Sequence, residues 1–276
     1  MNAITDHERS ALVRVPVEKW DADQHMLCED DVAEEVPVAL EYNGISHAVM
    51  LASPYDLEDF ALGFSLSEGI LKDRSEMYEC EVVPGCEGIQ VQMQIASARF
   101  VTLKDKRRNL TGRTGCGLCG AETLQQAIRH PQATTGNAMF SAAQIHAGMQ
   151  AMFKQQRLQR HTGATHAAAW MTLDGRVELV REDVGRHNAL DKLIGVMARK
   201  NCDFAAGAAL ITSRASYEMV QKAATMGIGF LAAISAPTSL AIQLAEESNV
   251  TLVGFVRDHS HVVYAQSHRL IREKSK

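Results

Sequence analysis

Two cysteines three positions apart, Cys116 and Cys119, sit in the run Thr111-Gly112-Arg113-Thr114-Gly115-Cys116-Gly117-Leu118-Cys119-Gly120. The thiolate is the reactive form of cysteine, and nearby Lys and Arg lower the thiol pKa from about 8.5. Lys104 to Arg113 carries five basic side chains against one acid, so Arg107, Arg108 and Arg113 favour nucleophilic sulfur. Gly112, Gly115, Gly117 and Gly120 remove bulk and allow positive φ, which predicts a mobile or tightly turned loop and reachable thiols. A short helix is expected over Ala121 to Arg129, its positive N-terminal end acting in the same direction.

Several chemistries use a C-x-x-C pair. A structural zinc needs four ligands, and the chain has no second C-x-x-C to supply the other two. A thioredoxin-like couple would follow a strand directly, whereas this one follows a basic, glycine-rich stretch. The zinc-deaminase pattern of H-x-E before P-C-x-x-C fails because His166 comes after the cysteines and is followed two positions on by Ala168. Sulfur on a mobile arm, able to carry a persulfide reversibly, fits best. Cys28, Cys80, Cys86 and Cys202 read as ordinary structural cysteines.

The elements that would position such an arm follow from pattern. The 276 residues, 46% apolar and 22% charged, suit a globular chain of one or two domains with a sizeable core. The N-terminus has no signal-peptide core and no apolar run approaches a membrane span, so a cytoplasmic protein without a membrane span is expected. A net charge of −5 argues against nucleic acid as a partner. Residues 1–15 read as a flexible tail. Val36 to Tyr42 and Ile45 to Ala52 form a hairpin through Asn43-Gly44, and Ser53-Pro54 is expected to open a helix with Leu57, Phe60, Ala61 and Phe64 on its apolar stripe. With a second hairpin around Pro84-Gly85, residues 16–110 make an N-terminal α+β subdomain. Residues 111–140 hold the mobile C-x-x-C loop and a connecting helix.

Residues 141–276 read as a C-terminal α/β domain. Ser141 caps a helix to about Gln156, and Asp174-Gly175 joins two strands. Helices then alternate with strands Ala208 to Thr212, Phe230 to Ile234 and Thr251 to Val256, implying parallel crossovers. Ligands of such sheets bind beyond the carboxyl ends of the strands. There lie Ser213 and Arg214, then Ser235, Ala236 and Thr238, then Arg257 and Asp258. Helix N-termini and two arginines suit a phosphate-bearing ligand. His166 is expected at the same end. The charged run from Arg181 to Asn188, which includes His187, is either a solvated capped turn or a ligand or partner site, and Asp191-Lys192 either extends it or forms a surface pair.

Five segments together resemble the formate dehydrogenase accessory sulfurtransferase family, FdhD: Gly112 to Gly120, Thr165-His166-Ala167-Ala168, Glu182 to Lys192, Ser213 to Met219, and Ser235 to Ser239. The resemblance runs from about residue 36 to 270. It implies a cytoplasmic sulfurtransferase that takes sulfur from a cysteine desulfurase and passes it to the molybdenum cofactor, bis-molybdopterin guanine dinucleotide, for formate dehydrogenase. It further implies that Cys116 carries the persulfide and Cys119 assists, and that Phe255, Val256, Arg257, Asp258, His259 and Ser260 contact the cofactor. A cytidine-deaminase-like C-terminal fold without zinc, and a homodimer, are also implied. The alternatives left open are a non-catalytic cofactor-binding chaperone, a thiol-disulfide oxidoreductase and a metal-dependent hydrolase.

Overall fold

The computed structural model describes residues 11–108 and 130–272. Cys116, Cys119, the glycine-rich loop and the helix expected over Ala121 to Arg129 lie outside the described residues. So does most of the 111–140 segment, whose described part to residue 139 has no regular element.

Alternating small and large apolar residues build a six-stranded mixed sheet. Its strands are β8 (His166–Thr172), β9 (Val177–Asp183), β10 (Gly207–Ile211), β11 (Phe230–Ala233), β12 (Thr251–Arg257) and β13 (Ser260–Ala265), in the order β13-β12-β11-β10-β8-β9. The β10, β11 and β12 strands are parallel, as the crossover pattern predicts, and the remaining neighbours are antiparallel. Successive side chains of a strand face opposite sides. Ala167, Ala169 and Met171 of β8 therefore pack on one side with Ile145, Met149 and Met152. The last three belong to α3 (Ala142–Gln155), which Ser141 caps through the full capping box with Gln144. Ala168 and Trp170 face the opposite, larger core.

That larger core is filled by helices: α1 (Leu57–Ser67), α5 (Arg186–Arg199), α6 (Tyr217–Thr225) and α7 (Ser239–Glu247). Beyond α1 lies a four-stranded sheet of β3 (Val36–Tyr42), β4 (Ile45–Ala52), β5 (Met77–Pro84) and β6 (Ile89–Ile95), ordered β4-β3-β6-β5. Asn43 and Gly44 both take positive φ, 46° and 79°, the geometry a two-residue hairpin requires. The chain is thus α/β, a C-terminal sheet with helices joined to a smaller N-terminal α+β unit.

Some elements differ from the sequence expectation. Residues 12–15, expected in a loose tail, begin β1 (Leu12–Asp21), which pairs antiparallel with β2 (Gln24–Ala33) over ten residue pairs. The polar alternation of this hairpin hides its strand character, because most of it is exposed. The basic stretch starts on α2 (Ser97–Arg108), and α4 (Arg157–Thr162) is a further short helix. Ser53 does not cap α1. The helix begins after Asp56, which holds φ at 50°, because Ser53 is fully buried and makes long-range contacts.

Helices α1 and α5 pack along most of their length, and glycine allows it. A Cβ on Gly63 would stand 1.7 Å from the Asp191 carbonyl oxygen, and one on Gly195 would stand 1.8 Å from that of Asp59. The two backbones touch there, and a methyl group has nowhere to go. Gly195→Ala is expected to lower the urea unfolding free energy by about 3 kcal/mol, whereas Gly69→Ala, in open space but at φ 63°, should cost only about 1 kcal/mol.

Candidate functional site

The carboxyl ends of β10, β11 and β12 lie side by side, as the register requires. Ala215 N–H donates to the Ala236 carbonyl at 3.2 Å and Thr238 N–H to the Ala215 carbonyl at 3.1 Å, tying the first two strand-to-helix loops together. Gly254 brings β12 against the second of them: a Cβ there would lie 3.0 Å from the Ser235 carbonyl oxygen. Ser213 is buried and Ser235 half-buried, while Arg214 and Thr238 are exposed. Thr238 caps α7, its hydroxyl accepting from Ala241 N–H. Arg214 and Arg257 are exposed and form no ion pair among the described residues.

The third strand end is bent. A bulge falls between Gly254 and Arg257, and Phe255 takes φ 52°, a conformation that is strained for a bulky residue. The bulge turns the Phe255 ring outward, 38% exposed. Val256 then faces inward and is wholly buried in the core beside α3, so only its backbone can meet a ligand. Arg257, Asp258, His259 and Ser260 form the exposed tip of the β12–β13 hairpin.

His166 joins this end because β8 runs antiparallel to β10. Ala167 N–H donates to Thr212 Oγ1 at 2.8 Å, and Thr212 N–H returns to the Ala167 carbonyl at 3.0 Å. His166 pairs with Asp183 across β8 and β9, so the β9→α5 turn arrives at the same place. Burial first, then the Arg186 charge, holds the His166 imidazole below its ordinary range. In the first turn of α5, His187 Nε2 lies 2.6 Å from Glu218 Oε2 of α6. This contact, ahead of burial, holds the Glu218 carboxyl below its usual range.

Two atoms in this region are buried without a hydrogen-bond partner among the described residues: Arg186 Nε and Ser216 Oγ. Ser216 precedes α6 and makes no side-chain cap. Buried polar groups without partners cost about 1–3 kcal/mol each. A ligand rich in acceptor oxygens would satisfy them, and the surrounding charge is basic. Arg186, Ser216 and Glu218 are therefore candidate site residues; the first two lie in stretches that the sequence reading marks, and Glu218 it did not weigh. Their signal was present in the charged junction and in the serine before α6, but nothing in spacing separates them from simple caps.

The charged run from Arg181 to Lys192 divides. Its other members are structural. Asp59, buried, takes Arg181 at 2.7 Å and Arg199 at 2.8 Å. Glu182 accepts the N–H groups of Arg157, Leu158 and Gln159, the open N-terminus of α4. Asp191 and Lys192 are not a surface pair. Both are buried, Asp191 binding Lys222 at 3.0 Å and Lys192 binding Asp183 at 2.7 Å. Burial works against the Lys222 charge, but Asp191 and Glu68 outweigh it and hold the ammonium above its usual range. Cys80 packs on the core, where burial pushes its thiol up to about 11, in keeping with a structural cysteine.

The sequence matches the FdhD/NarQ family over residues 33–271. A relative from Cupriavidus necator, named sulfur carrier protein FdhD, is 59% identical over 94% of this chain and 90% of its own length. One of the same name from Bordetella petrii is 56% identical over 87% of each chain. A crystal structure from Desulfotalea psychrophila, described as a formate dehydrogenase accessory protein, superposes with a TM-score of 0.72 over 95% of this chain and all of the other, at 23% identity. That last likeness concerns the fold.

The His166 environment has a measurable consequence. A histidine whose folded pKa lies below its unfolded value contributes stability above about pH 6.5 and loses it as pH falls through and below that value. Unfolding free energies measured between pH 8 and 5 should therefore fall more steeply for the native chain than for His166→Gln.

Proposed function

The chain belongs to the FdhD/NarQ family, and on that basis we propose that it is a sulfurtransferase acting in formate dehydrogenase maturation. It accepts persulfide sulfur from a cysteine desulfurase and delivers it to bis-molybdopterin guanine dinucleotide, its substrate. The Cys116 thiolate attacks the outer sulfur of the donor persulfide, the donor cysteine leaves as a thiolate, and Cys116 becomes a persulfide. Attack by Cys119 on the inner sulfur of Cys116 would then release hydrosulfide and leave a disulfide, which exchange with a cellular thiol reopens.

The observation that carries the ligand half of this reading is the pair of unpartnered buried atoms beside the strand ends, Arg186 Nε and Ser216 Oγ. Pyrophosphate oxygens of a dinucleotide supply the acceptors they lack. Arg214 and Arg257 are exposed after β10 and at the end of β12, and Phe255 offers a ring on which a guanine would stack. His259, Asp258 and Ser260 belong to the exposed tip of the β12–β13 hairpin. The reading includes a cytoplasmic location and a homodimeric state. A second reading keeps this ligand but makes the thiols incidental, so that the protein is a cofactor-binding chaperone; the same site favours it equally, and the cysteines decide.

Incubation with a desulfurase and free cysteine should add one sulfur atom to Cys116, seen by intact and peptide mass spectrometry. Cys116→Ala should gain none and leave formate dehydrogenase activation at background. Full activation by a chain lacking both Cys116 and Cys119 would instead establish the chaperone.

A further inference from the structure

The β9→α5 turn that presents Arg186 and His187 is held from outside its own sheet. Asp183, the last residue of β9, is fully buried and uses both carboxylate oxygens. Oδ1 accepts from Gly185 N–H at 2.8 Å and from Asn188 Nδ2 at 2.9 Å. Oδ2 accepts from Ser53 N–H at 3.0 Å and binds Lys192 Nζ at 2.7 Å. Ser53 belongs to the segment between β4 and α1. Its hydroxyl accepts from Val184 N–H at 3.1 Å, and its carbonyl accepts from Lys192 Nζ at 3.1 Å. Two residues on, Tyr55 donates its hydroxyl to the Glu182 carbonyl at 2.6 Å, and Lys192 Nζ stands 4.2 Å from the centre of its ring.

Backbone atoms of Glu182, Val184 and Gly185 are therefore fixed by three side chains, two of them from a unit some 130 residues earlier. The turn has no slack, since a Cβ on Gly185 would lie 2.7 Å from Asn188 Nδ2. A buried ion pair is a poor source of stability, because desolvation offsets most of its attraction. Its value lies in fixing one geometry, and here the residues next in sequence are Arg186, whose buried Nε lacks a partner, and His187, which meets Glu218.

We propose that Ser53, Tyr55 and Asp183 are positioning residues, through which the N-terminal unit sets the direction of Arg186 and His187 at the strand-end crevice. The N-terminal unit is then a working part of the site. The proposal rests on reading that crevice as the ligand site.

Ser53→Ala and Tyr55→Phe each delete one oxygen that does not itself reach the crevice. They are tested in the full-length chain by melting temperature, by NMR titration of the His166 imidazole, and by calorimetric binding of guanosine diphosphate. Both variants should fold, melting a few degrees lower. Burial, the Arg186 charge and His187 depress the His166 value against the opposing pull of Asp183 and the Thr212 backbone hydrogen bond; a loosened turn admits water and moves the Arg186 charge away, so the His166 midpoint should rise toward its ordinary position. Nucleotide affinity should weaken about 3- to 10-fold, the worth of one hydrogen bond. Folded variants with the native His166 midpoint and native affinity would overturn the proposal. A native chain that binds no guanosine diphosphate would count against the nucleotide reading alone, and the His166 midpoint would then decide the positioning role by itself.

Discussion

The structure depends on two helices whose backbones touch. At the crossing of α1 and α5, Gly63 and Gly195 each face a carbonyl group with no room for a methyl. Close approach fixes the angle and register of the pair, and with them the relation between the four-stranded sheet behind α1 and the six-stranded sheet in front of α5. Both helices are buried on nearly every side. A helix so enclosed cannot turn a polar face to water. Each polar group it carries must find a partner inside the protein.

That requirement explains the density of buried charge. Asp59 on α1 gathers Arg181 and Arg199. Asp191 on α5 accepts from Ser67 at the end of α1 and binds Lys222 on α6. Lys192 and Asp183 close the opposite side against Ser53. These contacts join the two units through groups that tolerate little displacement, because a charge left unpaired in the interior is far costlier than a lost apolar contact. The candidate site at the strand ends inherits this rigidity. Its basic and hydroxyl groups stand on the first turns of α5 and α6, and its floor is the stitched pair of loops after β10 and β11.

The site also shows why a small feature at one strand end matters. The bulge at Phe255 resets the alternation of β12. Without it Phe255 would fall on the α3 face with Val253 and Val256 on the opposite face with Leu252. The local strain is maintained by ladder contacts on both sides and by Tyr264 and Pro237 packed against Gly254.

Much of this was legible in the sequence. The Asn43-Gly44 hairpin, the Ser141 capping box, the parallel strands after residue 207 and the polar strand ends follow from turn chemistry, caps and periodicity, which are local properties. The C-x-x-C pair and the basic residues before it are likewise a matter of composition and spacing, in a stretch that lies mostly outside the described residues. Tertiary structure alone decided the rest. Ser53 has the form of a helix cap but serves Asp183, because the interior offered it a costlier vacancy to fill than a helix end exposed to water. Asp191 and Lys192 have the form of a surface pair, yet each is neutralised by a residue on another element, since the helix that bears them is enclosed. Within the run from Arg181 to Lys192 the same residue types serve both structure and site. Which side chain turns to the crevice depends on where β9 ends and α5 begins, and contacts from 130 residues away set that boundary.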